Sequence, residues 1–139
     1  MTADMHELAL AEGVIQTAAK IAEEQSISEI TEVIIQVGEL QQVDHEVLRF
    51  ALERLRTPTM RNARFTIESI PGRLKCRICG EEWNFNPESL SEETSEAIHF
   101  VPEVAHAYIS CPGCGSPDFH VLEGRGVLLA SIRGVKRDE

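Results

Sequence analysis

Two short stretches, Cys76-Arg77-Ile78-Cys79-Gly80 and Cys111-Pro112-Gly113-Cys114-Gly115, decide how the second half of this chain folds. Each is a Cys-x-x-Cys hook, and two hooks supply the four thiolates of a tetrahedral zinc shell. The glycine after each second cysteine favours a tight turn with positive φ, which brings backbone N–H groups towards the sulfurs. The chain has no other cysteine, so the sequence predicts one closed, structural site formed by Cys76, Cys79, Cys111 and Cys114.

The spacing of the hooks leaves zinc and iron as alternatives. Residues 80–110 separate the two hooks, an interval longer than that of a short zinc ribbon. Rubredoxin-like iron sites share the hook pattern, which makes an electron carrier the serious rival. Against it, the hooks occupy only the second half of the chain, and aromatic residues make up only 5% of the sequence, too few for the aromatic core of a rubredoxin. We therefore predict zinc.

Composition excludes two classes of partner. The net charge of −10 argues against nucleic acid, because phosphate neutralisation needs an excess of Lys and Arg. No apolar run approaches the ~18 residues of a membrane-spanning helix. The start, Met1-Thr2-Ala3-Asp4, carries an acid and no basic region, unlike a secretory signal. We expect a cytoplasmic protein with neither a nucleic acid nor a membrane as partner.

Apolar periodicity predicts a helix–strand–helix–strand unit before the hooks. Residues 8–25 have the three-four spacing of an amphipathic helix, residues 30–37 contain a β-branched run, and residues 64–70 alternate like a strand. Asp44 is a plausible N-cap for the second helix. The residues expected on the buried face of that helix are Val47, Phe50, Ala51 and Leu55.

These elements predict an α+β fold, a small sheet with two helices on one face plus a zinc-ribbon-like metal lobe. Short strands are expected at 118–123 and 127–133, and the last strand is expected to pair with the first domain's sheet. The predicted domains are 1–74 together with 118–139, and 75–117 around the cysteines. The acidic stretch 81–97 is expected to be a solvated linker or a loose helix.

Taken together, these motifs and their order along the chain resemble the HypA family of hydrogenase nickel-incorporation proteins. The stretches from Cys76 to Trp83 and from Ile98 to Val104 look most like archaeal members. The resemblance covers Met5 to Gly134, and it is carried by the paired hooks together with Met5-His6-Glu7-Leu8, Gly38-Glu39-Leu40 and Gly124-Arg125-Gly126-Val127.

The resemblance implies a nickel metallochaperone rather than an enzyme, with nickel as cargo and zinc as a structural ion. It makes 1–74 with 118–139 the nickel-binding domain and 75–117 the zinc-binding domain. In this family the Met-His-Glu motif holds nickel, so His6 would supply an imidazole and backbone nitrogens around Met5 to Glu7 would complete the site. Glu7 would act as a ligand or as an acceptor beside the ligands, and His99 would be able to join the nickel shell.

The same resemblance implies partners. Family members act with a HypB-type GTPase and pass nickel to the hydrogenase large subunit, and a homodimer is compatible with this role. Members usually begin at the methionine of the motif, whose free amine binds nickel, whereas Met1 to Asp4 precede it here. If translation starts at Met1, that donor becomes an amide; if it starts at Met5, the donor is kept. The alternatives from other classes are the rubredoxin-like electron carrier and a zinc-ribbon protein-interaction module.

Overall fold

The computed structural model describes residues 2–86, 91–101 and 105–136, which divide into two compact units. The first contains residues 2–36, 44–68 and 127–136, and the second contains 37–43 and the described part of 69–126. No helix among the described residues is long and apolar enough to cross a membrane. The elements in chain order are α1 (Thr2–Glu24), β1 (Ile27–Gly38), α2 (His45–Arg54), β2 (Arg64–Ile70), β3 (Arg73–Cys76), β4 (Glu82–Asn84), α3 (Glu92–Phe100), α4 (Ala105–Tyr108), β5 (Phe119–Glu123) and β6 (Val127–Lys136).

The sheet of the first unit has the strand order β2-β1-β6, which confirms that the last strand pairs with the first domain's sheet. Along β1, burial alternates with the period of two that a strand imposes. Val33 and Ile35 are buried on one face. On the other face Glu32 accepts a hydrogen bond from the Thr66 hydroxyl at 3.2 Å, and Ile34 and Gln36 are only half-buried. The helices therefore have one apolar sheet face to cover, as the predicted fold class requires.

Helix α1 begins at Thr2, well before the predicted start at residue 8. The Met5-His6-Glu7 motif consequently lies inside the helix and not ahead of it. The helix packs against α2 and β6. Its buried apolar side chains recur every three or four residues, as an amphipathic helix requires, and include Ala11, Val14, Ile15, Ala18 and Ala22.

The predicted buried face of α2 was wrong by about one position. Leu48 and Leu52 are fully buried together with Ala51, whereas Phe50 is 62% exposed. Both sets of apolar residues have helical spacing, so the local pattern permits either face, and packing against α1 selects the leucines. The predicted N-cap is confirmed, because the Asp44 carboxylate accepts from the backbone N–H groups of Glu46 at 3.0 Å and Val47 at 3.2 Å.

The second unit contains an antiparallel sheet in the order β4-β3-β5. Leu74 at its centre faces Trp83 on β4 and Val121 on β5 in the register. A buried apolar cluster covers this sheet and consists of Leu40, Leu74, Phe85, Ile98, Ala105 and Phe119.

The acidic stretch 81–97 is not a solvated linker throughout. It contributes β4, the buried Phe85, and most of α3, whose N-cap is the Ser91 hydroxyl accepting from the Thr94 N–H at 3.1 Å. Of its acids, Glu81, Glu82, Glu92 and Glu93 lie in the described part of the stretch and are exposed, which is why composition alone suggested a linker or a loose helix. Because β5 pairs with β3, residues 119–123 lie in the cysteine-bearing unit, outside the range 75–117 of the predicted zinc-binding domain.

Two of the motifs that carried the family resemblance meet in the second unit. The Gly38 N–H donates to the Gly126 carbonyl at 2.8 Å, and the Leu40 N–H donates to the Gly124 carbonyl at 2.9 Å. A Cβ on Gly38 would overlap the Gly124 carbonyl group. Glycine is therefore required at position 38 by a close backbone approach.

We expect Gly38→Ala to lower the free energy of unfolding by about 2 kcal/mol or more, because backbone atoms must shift to admit the methyl group. Gly13→Ala is the matched control. Nothing lies within 4 Å of a Cβ at Gly13 in the middle of α1, so that change should stabilise the protein by about 1 kcal/mol. Denaturant unfolding of both variants measures the difference, and equal stabilities would show that the close approach is not a constraint.

Candidate metal centre

The four cysteine sulfurs converge at one end of the β4-β3-β5 sheet. All four lie within 4.8 Å of one another. The Cys76 and Cys114 sulfurs are 3.6 Å apart, and the Cys79 and Cys111 sulfurs are 3.5 Å apart. Zinc–sulfur bonds of about 2.3 Å in a tetrahedron give sulfur–sulfur edges of about 3.8 Å, so these distances suit a shared tetrahedral ion. They are far longer than the roughly 2.05 Å of a disulfide bond.

The two hooks have the same backbone hydrogen bonds. In the first hook the Gly80 N–H donates to the Cys76 carbonyl at 3.1 Å, and the Cys76 N–H donates to the Glu81 carbonyl at 2.8 Å. In the second hook the bonds from Gly115 to Cys111, at 2.8 Å, and from Cys111 to Ser116, at 2.9 Å, repeat this pattern. Gly80 and Gly115 have φ of +80° and +78°, which confirms the predicted positive-φ turns.

Backbone N–H groups point at the sulfurs inside each turn. The Ile78 N–H lies 3.3 Å from the Cys76 sulfur, and the Gly113 N–H lies 3.3 Å from the Cys111 sulfur. The backbone N–H of Cys79, followed by that of Ile78, favours the thiolate and lowers the pKa of Cys76 from 9.0 to about 7. Donors placed at sulfur before any metal arrives reduce the cost of gathering thiolates.

The cysteines do not share this effect equally. At Cys79 the Glu81 N–H favours the thiolate, but the hydrogen bond that the Cys79 thiol donates to the Cys111 sulfur and desolvation outweigh it and raise the pKa to about 12. The first cysteine of each hook is buried and the second is exposed. The site is therefore anchored in the protein on one side and open to solvent on the other.

The apolar cluster supports the hooks from beneath. Phe119 faces Cys76 in the register between β5 and β3 and is fully buried. The Trp83 ring meets the Phe119 ring edge to face at 5.7 Å between centroids. The His106 ring, on α4, stacks on the Phe119 ring with 4.2 Å between their centroids. The Nδ1 of His106 lies 3.0 Å from the Pro117 carbonyl oxygen. Phe119 thus fixes β3, the strand that leads into the first hook.

The second predicted site is organised differently. In the described part of the chain, the cysteines are the one group of three or more His, Cys, Asp or Glu side chains close enough to share an ion. His6 is half-buried on α1, and Met5 lies in the same helix with its side chain outside the described residues. His99 lies in α3, and its side chain is likewise outside the described residues.

Glu7 has a structural partner that the sequence did not reveal. Its side chain is only 1% exposed, and its Oε2 accepts from the backbone N–H of Asp44 at 2.8 Å. Asp44 in turn caps α2. The bond therefore ties the first turns of α1 to the start of α2. No local pattern could predict this contact, because its partners are 37 positions apart in the sequence.

Comparison with known proteins agrees with this architecture. A family model described as "Hydrogenase/urease nickel incorporation, metallochaperone, hypA" matches residues 5–134. The hydrogenase maturation factor HypA of Thermococcus sibiricus is 43% identical over 140 residues, covering 97% of this chain and 100% of that protein. The corresponding factor of Pyrococcus abyssi is 42% identical over 138 residues, covering 97% and 99%.

Solved structures share the fold at lower identity. The solution structure of the nickel metallochaperone HypA from Helicobacter pylori aligns with a TM-score of 0.63 and 18% identity, covering 94% of this chain and 98% of that one. A second solution structure of a HypA protein gives a TM-score of 0.62 at 21% identity, with 96% and 98% covered. These likenesses establish the fold.

We expect metal binding at the cysteines to release fewer than four protons at about pH 8, because Cys76, with a pKa of about 7, is already ionised there. As the pH falls through the pKa of Cys76, the number of protons released on metal binding should rise. The affinity for Zn²⁺ should then fall more steeply with decreasing pH than it does above that pKa. Calorimetric titration with Zn²⁺ in two buffers of different ionisation enthalpy counts the protons. Equal proton release at about pH 8 and about pH 6 would contradict the low pKa.

Replacement of Glu7 should separate its hydrogen bond from its charge. Glu7→Ala leaves the Asp44 N–H without this acceptor and should cost about 2 kcal/mol of unfolding free energy. Glu7→Gln keeps an acceptor oxygen and should cost less than half as much. Urea unfolding measures both variants, with Glu12→Ala, at an exposed position of the same helix, as the control. Wild-type stability in Glu7→Ala would show that the bond is unimportant.

Proposed function

Because this chain belongs to the HypA family, we propose that it is a carrier that binds Ni(II) at its Met5-His6-Glu7 motif and delivers it to the hydrogenase large subunit. The family is one of nickel-incorporation metallochaperones that act in hydrogenase maturation, and these are not enzymes. The observation that carries the proposal is the family match over residues 5–134, which includes the motif.

The resident ion of the cysteine site is proposed to be zinc. The donor set fits, because four sulfurs lie at the spacing of a tetrahedral shell and both hooks place N–H donors on sulfur. Cys76, Cys79, Cys111 and Cys114 would hold it. The ion would crosslink the two hooks and thereby stabilise 75–117 as a zinc-binding domain, without an open position for cargo.

The nickel site is proposed to use the imidazole of His6 with nearby backbone nitrogens, a donor set that suits Ni(II). In an α-helix each N–H donates to the carbonyl four residues earlier. His6 and Glu7 lie within α1, so ligation through their backbone nitrogens requires the first turn of the helix to unwind. Cargo binding would then compete with helix formation, which is a physical reason for weak, reversible binding by a carrier.

Glu7 is proposed to position this turn while nickel is bound. Its carboxylate is buried and holds the Asp44 N–H, so the motif stays anchored to α2 when the preceding residues change conformation. This favours the role of an acceptor beside the ligands over that of a ligand. Met5 would contribute a backbone nitrogen, or its free amine in a chain that begins there. His99 is proposed as an additional nickel ligand.

The maturation role implies contact with the hydrogenase maturation machinery. We propose a HypB-type GTPase and the hydrogenase large subunit as partners, a second copy of the chain as a third, and the cytoplasm as the location. The division into a nickel-binding domain, 1–74 with 118–139, and a zinc-binding domain, 75–117, remains part of this proposal. The alternatives are an interaction module without nickel cargo and a rubredoxin-like electron carrier.

We expect His6→Ala to abolish uptake of one Ni(II) per chain while the cysteine-bound zinc and the melting temperature stay unchanged, because the imidazole is the one side-chain nitrogen of the motif. Native mass spectrometry with and without added Ni(II) identifies and counts both metals. The control is His45→Ala, which replaces an exposed histidine at the start of α2 and should bind nickel like the wild type.

The same spectra separate the alternatives. Nickel bound more tightly by a chain beginning at Met5 than by one beginning at Met1 would support a terminal amine as donor. Nickel uptake unchanged in His6→Ala would remove His6 from the site. No uptake in either chain would favour the interaction module, and bound iron at the cysteines would favour an electron-transfer site.

A further inference from the structure

The two hooks differ at one position beside the sulfurs. Gly113 is the third residue of the second hook, and Ile78 is the third residue of the first. Each places its backbone N–H 3.3 Å from the first sulfur of its own hook, so the two turns are alike. Ile78, however, is a large apolar residue that is 67% exposed, whereas Gly113 has no side chain. The second hook therefore has nothing at this position that could shield the sulfurs.

The Cβ position of residue 113 shows what borders the resulting opening. A Cβ built there would lie 3.7 Å from the Cys111 sulfur, 3.9 Å from the Cys79 sulfur and 3.8 Å from Cγ of Glu81. These are ordinary van der Waals distances, so a methyl group would fill the space between the two sulfurs and the Glu81 side chain. Gly113, Cys79 and Glu81 are all exposed. The opening thus leads from solvent to two sulfurs, with a carboxylate side chain at its border.

Glu81 is placed to meet a cation before the sulfurs do. Its backbone belongs to the first hook, because the Glu81 carbonyl accepts from the Cys76 N–H at 2.8 Å. Its neighbour Glu82 is held by Arg73 at 3.0 Å, whereas none of the ion pairs among the described residues involves Glu81. Carboxylate oxygen is an ordinary ligand of Zn²⁺, and Glu81 lies outside the group of four sulfurs that share one point. Its carboxylate can therefore bind a cation without belonging to the finished site.

We propose that Glu81 is a capture ligand, which binds an incoming divalent cation at the opening and passes it to the cysteine sulfurs. A carboxylate oxygen first replaces one water of the hydrated cation. The thiolates then replace the carboxylate and the remaining waters, and the protons of the thiols pass to solvent. Gly113 keeps the route open, because a side chain there would stand between solvent and the sulfurs of Cys79 and Cys111.

The inference rests on the proposed metal site at the cysteines, and it concerns how that site fills and empties. A route into the site is also the route out. Loss of the capture ligand should therefore slow metal exchange in both directions and leave the equilibrium affinity almost unchanged. Loss of a ligand of the finished site, or of the fold, would instead weaken the affinity. Exchange rates and equilibria together distinguish a capture ligand from a structural residue.

Replacement of zinc by cadmium in the zinc-loaded full chain tests the proposal. Cd²⁺ is a soft ion that prefers thiolates, and native mass spectrometry follows the loss of zinc and the gain of cadmium with time. Glu81→Gln should slow the replacement about threefold or more, because the incoming ion loses its first ligand. The final ratio of cadmium to zinc should match that of the wild type. The control is Glu93→Gln, which removes the same charge at an exposed position on α3.

Variants of Gly113 test the route itself. Gly113 does not have a positive φ, so a residue with a side chain can adopt its conformation and keep the N–H on the Cys111 sulfur. Gly113→Ala should slow the replacement of zinc, and Gly113→Ile, which copies the residue of the first hook, should slow it more. The melting temperature of the zinc-loaded chain should not change. Gly13→Ala, in α1, is the control and should exchange zinc like the wild type.

The outcomes separate this inference from the proposed zinc site. Wild-type exchange rates in Glu81→Gln or in Gly113→Ile would overturn the inference and leave the zinc site intact. A changed final ratio of cadmium to zinc would also overturn it, since that result identifies a ligand of the finished site. So would a slowing that vanishes at about 1 M salt, where exposed charges are screened but a lost ligand still matters. A wild-type chain that carries no metal at its cysteines would overturn the zinc proposal, and this inference with it.

Discussion

Convergence of four sulfurs is the constraint on which the second unit depends. The unit brings two hooks to one point, and each hook repeats the same turn with N–H groups aimed at sulfur. Gathered thiolates repel one another, so a cation is the natural stabiliser of this arrangement. The strand that leads into the first hook, β3, pairs with β5 at Phe119, so the metal site and the apolar cluster fix each other's positions.

The first unit depends on a different link, made without metal. Buried Glu7 accepts from the backbone of Asp44, and Asp44 caps α2. One carboxylate thus fixes the start of one helix relative to the start of another. The residue before it is the proposed nickel ligand, so the anchor lies one position from the turn that must open for cargo. A rigid anchor beside a yielding turn suits a carrier that binds and releases.

The exposure of Phe50 on α2 follows from the same packing that buries the leucines of that helix. The helix has apolar residues on more than one side, and contact with α1 takes Leu48 and Leu52. Phe50 is then left in solvent between Glu46 and Arg54. The Met5-His6-Glu7 motif and the cysteine site also occupy separate side chains, so one can change without loss of the other.

The sequence by itself determined the four-cysteine site, the α+β class, the Asp44 cap and the strand at 64–70, because each depends on local spacing or on side-chain chemistry. Only the tertiary structure decided which face of α2 is buried, since two sets of apolar residues share the helical period. It also decided that Glu7 holds Asp44 and that Phe85 joins the core. Glu7 and Asp44 are far apart in the sequence, so no local pattern pairs them. Phe85 lies in an acidic stretch whose composition predicts exposure to solvent, and only packing in the apolar cluster buries it.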